Sequence, residues 1–337
     1  TYTVKVVSDS GNKYRFNDFG TSAVTLDLAE GGTYTFDGSD SSMSGHPFVI
    51  GTAANGSVYS TGVTYQLDGA SVTYSAYTSG YSSATTRKLI ITVPASAPQL
   101  YYWCSIHSGM GGAINTNSTL GSSNFDGSIQ STVKVNASAG FSIVTYSRNG
   151  SSITVGHGLG VAPKIYLRKR RDSTDNWIAY NTILDGSMDY LILNETDAKQ
   201  DSSLTVPTST KFYDDGSGNM VVYAFSEVAG YSKFGSYKGN ASANGSFIYL
   251  GFKPAWIMFK SSNASVGWYI LDRTRNPSNV VNKHLRANTN AQEQTDTFAD
   301  FLANGFKFRT SDSSGNTDYD YIYFAFAESP FKNNRAR

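Results

Sequence analysis

The sequence predicts an all-β protein built from several small domains, and three observations point there. Aromatic residues make up 14% of the chain while charged ones make up only 16%, below the usual quarter. Aromatic and β-branched residues recur in short alternating runs, which suits strands. Clusters of Gly, Ser, Asn and Asp separate those runs, which suits tight turns. The stretches of Leu, Ala, Glu and Lys that would sustain long helices are missing. At 337 residues the chain exceeds one ordinary core, so two or three domains are expected.

Taken in order, residues 1–115 form the first expected domain. Strands are predicted at 3–7, 23–28, 33–37, 47–52, 88–93 and 99–104. Turn signals such as Gly31-Gly32 and Asp37-Gly38-Ser39-Asp40-Ser41-Ser42 lie between them. About six to eight short strands over such a length is what a Greek-key sandwich needs. Residues 116–140 change character. Asn115-Thr116-Asn117-Ser118-Thr119 and Gly121-Ser122-Ser123-Asn124 are small and polar, which predicts a linker with one strand at 131–135.

The rest of the chain repeats itself. Tyr146, Asn149, Pro163 and Trp177 each stand 91 positions before Tyr237, Asn240, Pro254 and Trp268. Lys211-Phe212 matches Lys307-Phe308 at an offset of 96. Tyr223-Ala224-Phe225-Ser226-Glu227 matches Phe324-Ala325-Phe326-Ala327-Glu328 at 101. Two similar β-sandwich subdomains, 141–230 and 231–337, are therefore expected, the second carrying insertions. Trp177 and Trp268 are expected in their cores.

Charge and cysteine usage exclude several classes. The net charge is +1, so no long-range field draws the chain to nucleic acid or an anionic membrane. No apolar run approaches the roughly 20 residues that cross a bilayer. Cys104 is the one cysteine, so no disulfide forms within the chain.

That cysteine belongs to a set. His46 lies in Ser44-Gly45-His46-Pro47-Phe48-Val49-Ile50, and Cys104, His107 and Met110 lie in Tyr101-Tyr102-Trp103-Cys104-Ser105-Ile106-His107-Ser108-Gly109-Met110-Gly111. One thiolate, two imidazoles and a distant thioether are the trigonal-plus-axial donors of blue-copper sites. A strand ending at Cys104 and a tight loop through Gly109 would return His107 and Met110 to one ion, with His46 closing the trigonal plane. The competing reading is structural, a small core cysteine and a gap-filling methionine.

Other motifs point elsewhere. Arg168-Lys169-Arg170-Arg171 suggests nucleic acid, but its counterpart is Phe259-Lys260-Ser261-Ser262, so a solvated hairpin end is expected. Val155-Gly156-His157-Gly158-Leu159-Gly160 looks like a phosphate loop, yet a strand is expected after it and no helix. His157 and His284 have no nucleophile partner at a recognisable spacing, and no catalytic residues are proposed. Asp214-Asp215, ahead of Gly216-Ser217-Gly218-Asn219, is expected to be turn chemistry. The triplet Asn117-Ser118-Thr119 follows from composition.

On its ligand residues the first domain resembles the cupredoxin family, in particular members with a short Cys-x-x-His-x-x-Met loop. The resemblance covers about residues 1–115 and includes Tyr102, two residues before the cysteine. It implies equatorial ligation by His46, Cys104 and His107, weak axial ligation by Met110, and copper as the cofactor. Pro47 departs from the pattern, since the family often has Asn there.

From about residue 122 the chain resembles a module of tail-fibre and other virion proteins of marine bacteriophages. The residues that carry this are Phe125-Asp126-Gly127-Ser128-Ile129, Phe141-Ser142-Ile143-Val144-Thr145-Tyr146, the 155–160 loop, Tyr231-Ser232-Lys233-Phe234-Gly235-Ser236-Tyr237, Tyr323-Phe324-Ala325-Phe326-Ala327-Glu328 and the closing 329–337 segment. The resemblance implies a non-enzymatic virion part: a fibre, appendage or decoration on the particle surface. It would form a homo-oligomer, a trimer if a fibre, with other virion proteins and a host-surface glycan or protein as partners. The alternatives are a secreted or periplasmic copper protein for electron transfer and a carbohydrate-binding protein. Exposed Tyr and Trp among Ser, Asn and Gly would suit saccharide or protein contacts.

Overall fold

The computed structural model describes residues 1–117, 119–149 and 152–329. Ser118 of the triplet and the end of the closing segment, 330–337, lie outside the described residues. The chain is all-β, as its composition predicts. It divides into two compact units, Thr1–Lys134 and a second from Val135 on.

The first unit contains β1 (Tyr2–Ser8), β2 (Asn12–Phe16), β3 (Leu26–Asp27), β4 (Thr33–Asp37), β5 (Phe48–Gly51), β6 (Val63–Leu67) and β7 (Ala70–Val72). The helix α1 (Tyr74–Gly80) follows, then β8 (Arg87–Thr92), β9 (Leu100–Cys104) and β10 (Gly112–Asn115). Two sheets form, ordered β2-β1-β4-β8-β6-β7 and β3-β10-β9-β5. β1 runs parallel to β4, and β3 runs parallel to β10. Alternation places the core between the sheets: on β2, Tyr14 and Phe16 are fully buried while Lys13 and Arg15 are not. Phe36, Phe48 and Tyr102 complete this aromatic centre.

Helix α1 is an addition to the sequence reading. Its Thr73 cap accepts the Ala76 N–H at 3.2 Å, and its one buried residue, Tyr77, donates to the Phe48 carbonyl at 3.2 Å.

Within the segment expected as a linker at 116–140, the strand expected at 131–135 forms as β12 (Ser131–Asn136), and a strand not expected, β11 (Ser122–Asn124), pairs with it antiparallel. Phe125 is buried against Tyr2, Phe16 and Phe19. The Tyr2 hydroxyl donates to the Ser123 carbonyl at 2.8 Å, and Thr132 Oγ1 donates to Asp27 Oδ2 at 2.6 Å. The first unit thus extends well past residue 115, because one aromatic and a few hydroxyls dock the segment. A polar composition concealed them.

The second unit starts with β13 (Phe141–Asn149), β14 (Ile153–Gly156), β15 (Ile165–Arg170), β16 (Ile178–Asn181), β17 (Asp189–Ile192), β18 (Gln200–Asp201), β19 (Lys211–Asp214) and β20 (Ser217–Phe225). It continues with β21 (Ser232–Lys238), β22 (Phe247–Tyr249), β23 (Pro254–Ser261), β24 (Tyr269–Asp272), β25 (Val281–Arg286), β26 (Gln294–Leu302), β27 (Gly305–Phe308) and β28 (Asp320–Ala327). The strand order β13-β20-β15-β16-β17-β18 recurs as β21-β28-β23-β24-β25-β26, and the pair β14-β19 recurs as β22-β27. The repeat legible in the sequence is therefore a repeat of topology.

The copies differ where the offset grows. β18 has two residues, whereas its counterpart β26 has nine and pairs with β27, joining that copy into one eight-stranded sheet. The two copies also share a core, in which Ile165, Ala179 and Leu191 of the first pack with Phe234, Met258 and Trp268 of the second. Trp268 Nε1 donates to the Ile192 carbonyl at 2.9 Å. Trp177, expected in the core, is only half-buried and stacks on Tyr223 at 6.1 Å.

Candidate metal centre

The β5–β9 ladder builds the centre. Phe48 pairs with Cys104 in register, which carries His46, two residues earlier, to the end of β9. The Ser105 N–H donates to the Pro47 carbonyl at 3.0 Å and fixes the two segments there. The chain then turns through Gly109, whose φ of +76° favours glycine. It returns through Gly111, where a side-chain carbon would sit 1.6 Å from the Tyr102 carbonyl oxygen. This loop can close tightly only with glycine at both places.

Three of the four expected ligands meet. Cys104 Sγ lies 3.5 Å from His107 Nδ1 and 3.9 Å from His46 Nδ1. The donor atoms of His46, Cys104 and His107 all lie within 4.8 Å of one another. Bonds of about 2.3 Å to sulfur and 2.05 Å to nitrogen, opened to tetrahedral or trigonal angles, separate sulfur from nitrogen by about 3.6–3.8 Å and nitrogen from nitrogen by about 3.3–3.6 Å. The residues present therefore fit a first-row ion. Cys104 is buried, His46 half-buried and His107 exposed, so the cluster reaches solvent on the His107 side. Burial, then the neighbouring His107, holds the His46 imidazole below its usual range and favours the neutral form that ligates. Met110 ends the loop fully buried in the core of the same unit.

The other two histidines are buried in the second unit and hydrogen-bonded there. His157 is fully buried; its Nδ1 accepts the Leu159 N–H at 3.1 Å and its Nε2 faces the Thr208 carbonyl at 3.2 Å. Both ring nitrogens are thus engaged, which suits a locked core residue better than a general base. β14 ends at Gly156 and no helix follows, as expected. His284 is buried with Nε2 3.2 Å from Gln294 Oε1.

Two expectations are corrected. Arg168 is not a solvated hairpin end, because it bonds Asp214. Asp214 is not turn chemistry either: it is 1% exposed and also takes the Arg148 guanidinium at 3.1 Å and the Tyr146 hydroxyl at 2.8 Å. Its neighbour Asp215 is the exposed one of the pair. The cluster arises because β13, β15 and β19 each point one charged residue inward, a coincidence that no local pattern announces.

The sequence reading also missed a groove of about 530 Å³ between the two copies, with Phe141, Leu167, Tyr223, Trp256 and Phe326 among its walls. Among the described residues no helix is long and apolar enough to cross a membrane.

Fold and site define an all-β protein with a repeated module in its second unit and a His–Cys–His cluster in its first. The chain belongs to the DUF7483 family, a domain family of unknown function, which matches residues 115–330. No curated protein matches it. The matched stretch begins after His46, Cys104 and His107, so that cluster stands outside the family's domain.

Proposed function

We propose that this chain is a structural protein of a bacteriophage particle surface, in a fibre, appendage or decoration, and that its first unit binds copper. The observation that carries the metal reading is the convergence of Cys104 Sγ with two Nδ1 atoms at 3.5 and 3.9 Å. Copper there would link the His46 segment to the 104–110 loop and act as a structural clip. The chain's own residues hold the donors: β5 and β9 set the spacing, and Gly109 and Gly111 close the loop.

The surface role draws its support from the residues that resemble phage virion modules and from the duplicated, turn-rich unit that follows. Dense β pairing and sparse charge suit a rigid, protease-resistant surface part, a homo-oligomer without enzymatic activity and a trimer if it is a fibre. The exposed side chains of Phe247 and Tyr249 offer contact area for a host glycan or protein.

Electron transfer is the second reading, favoured by the exposure of His107 and by its neighbour Ile106, which is 61% exposed. Copper titration of the purified protein, with mass spectrometry of intact particles, tests both readings. Bound copper and recovery of the chain in particles support the leading proposal. An intense blue colour bleached by ascorbate, with the chain absent from particles, favours the second. A protein that takes up no copper ends the metal reading.

A further inference from the structure

One strand touches every segment that supplies a donor. The inference drawn from it rests on the metal reading above. Tyr14 on β2 has no exposed surface. Its hydroxyl donates to the His46 carbonyl at 3.0 Å, and its backbone N–H donates to the Met110 carbonyl at 2.9 Å. Its ring packs 5.3 Å from Phe48 and 6.4 Å from Tyr102, on β5 and β9. Lys13, the preceding residue, bonds the Gly109 carbonyl through Nζ.

These contacts matter because a loop ordered in advance spares an ion the entropy of arranging its ligands. Groups that orient ligating side chains also tune the metal those side chains hold. We propose that Lys13 and Tyr14 brace the centre, holding the His46 segment and the 105–110 loop at ligating distance, with the Tyr14 hydroxyl as the positioning group. Tyr14 touches no ion itself; it acts through the His46 and Met110 carbonyls. Groups of this kind typically change metal affinity by about 10- to 100-fold.

Tyr14→Phe deletes the hydroxyl and keeps the ring. In the metal-free full chain, amide exchange across residues 105–110 should quicken about ten-fold, while exchange in β13 and β20 stays as in wild type. With copper(II), affinity should fall about ten-fold and the sulfur-to-copper absorption band should move. Lys13→Met alters a half-buried side chain outside the core and should quicken the same loop, which decides the matter if Tyr14→Phe unfolds. Unchanged loop exchange in the folded variants, or an unchanged band in copper-loaded Tyr14→Phe, overturns the brace. Should wild type take up no copper, the metal reading alone falls, and loop exchange still decides for or against the brace.

Discussion

Cys104 and His46 stand 58 residues apart in the chain, yet Sγ and Nδ1 are 3.9 Å apart. Bringing a thiol and an imidazole so close costs desolvation that a bound ion would offset. Copper, or cobalt as a spectroscopic stand-in, at about 100 times its dissociation constant should stabilise the protein by about 2.7 kcal/mol. Thermal melts with and without the ion measure this. Cys104→Ala and His46→Ala should each abolish the gain, and a gain retained in both would place the ion elsewhere.

Phe125 gives a test of where the first unit ends. It is buried among Tyr2, Phe16 and Phe19, in a stretch that composition presents as a tether. Phe125→Ala in the full chain should destabilise the first unit by about 3–5 kcal/mol. The protected amides of β1 and β9 should then exchange faster, with the second unit unaffected. A true linker residue would leave them alone.

Asp214 neutralises Arg148 and Arg168 where almost no water reaches. Removing the acid takes this counter-charge from the buried Arg148 and from the partly buried Arg168, which keeps only Asp215 at 3.8 Å. Asp214→Ala should cost about 3–5 kcal/mol in urea unfolding of the second unit. Asp215→Ala, at a side chain that is 51% exposed, should change stability by less than about 1 kcal/mol.

Lys260 provides a pH signature. It donates to the Thr196 carbonyl at 2.7 Å, and burial lowers its pKa to about 8 from an ordinary 10.5. The unfolded chain therefore binds the extra proton between these values, so stability rises with pH across that window. The gain from pH 8 to 9.5 should be about 1–2 kcal/mol in wild type and absent in Lys260→Met. Denaturant midpoints at successive pH values check the slope. A wild-type curve no steeper than the variant's would show the ammonium to be solvated.

Much of the fold was legible because it depends on local and periodic signals. Alternation announced β1, β4, β5, β8 and β9, and the pairs Pro163–Pro254 and Trp177–Trp268 announced a duplicated topology. The helix α1 escaped because Tyr74-Ser75-Ala76-Tyr77 carries no strong helical preference, and its cap and one buried tyrosine stabilise it only in context. Arg168 and Asp214 were misjudged for a related reason. A run of four basic residues shows which are charged and not which face the core.

Of the candidate site, the donor types and the return of the 104–110 loop were encoded locally, since Cys104, His107 and two glycines share one short segment. The sequence by itself determined the all-β class, the repeat and the identity of the donors, because periodicity, turn chemistry and ligand type belong to neighbouring residues. Tertiary structure alone decided that His46 reaches Cys104, that Tyr14 and Lys13 bear on the same loop, and that Phe125 belongs to the first core. Those contacts depend on strand register and sheet order, which arise only when distant segments bury one another.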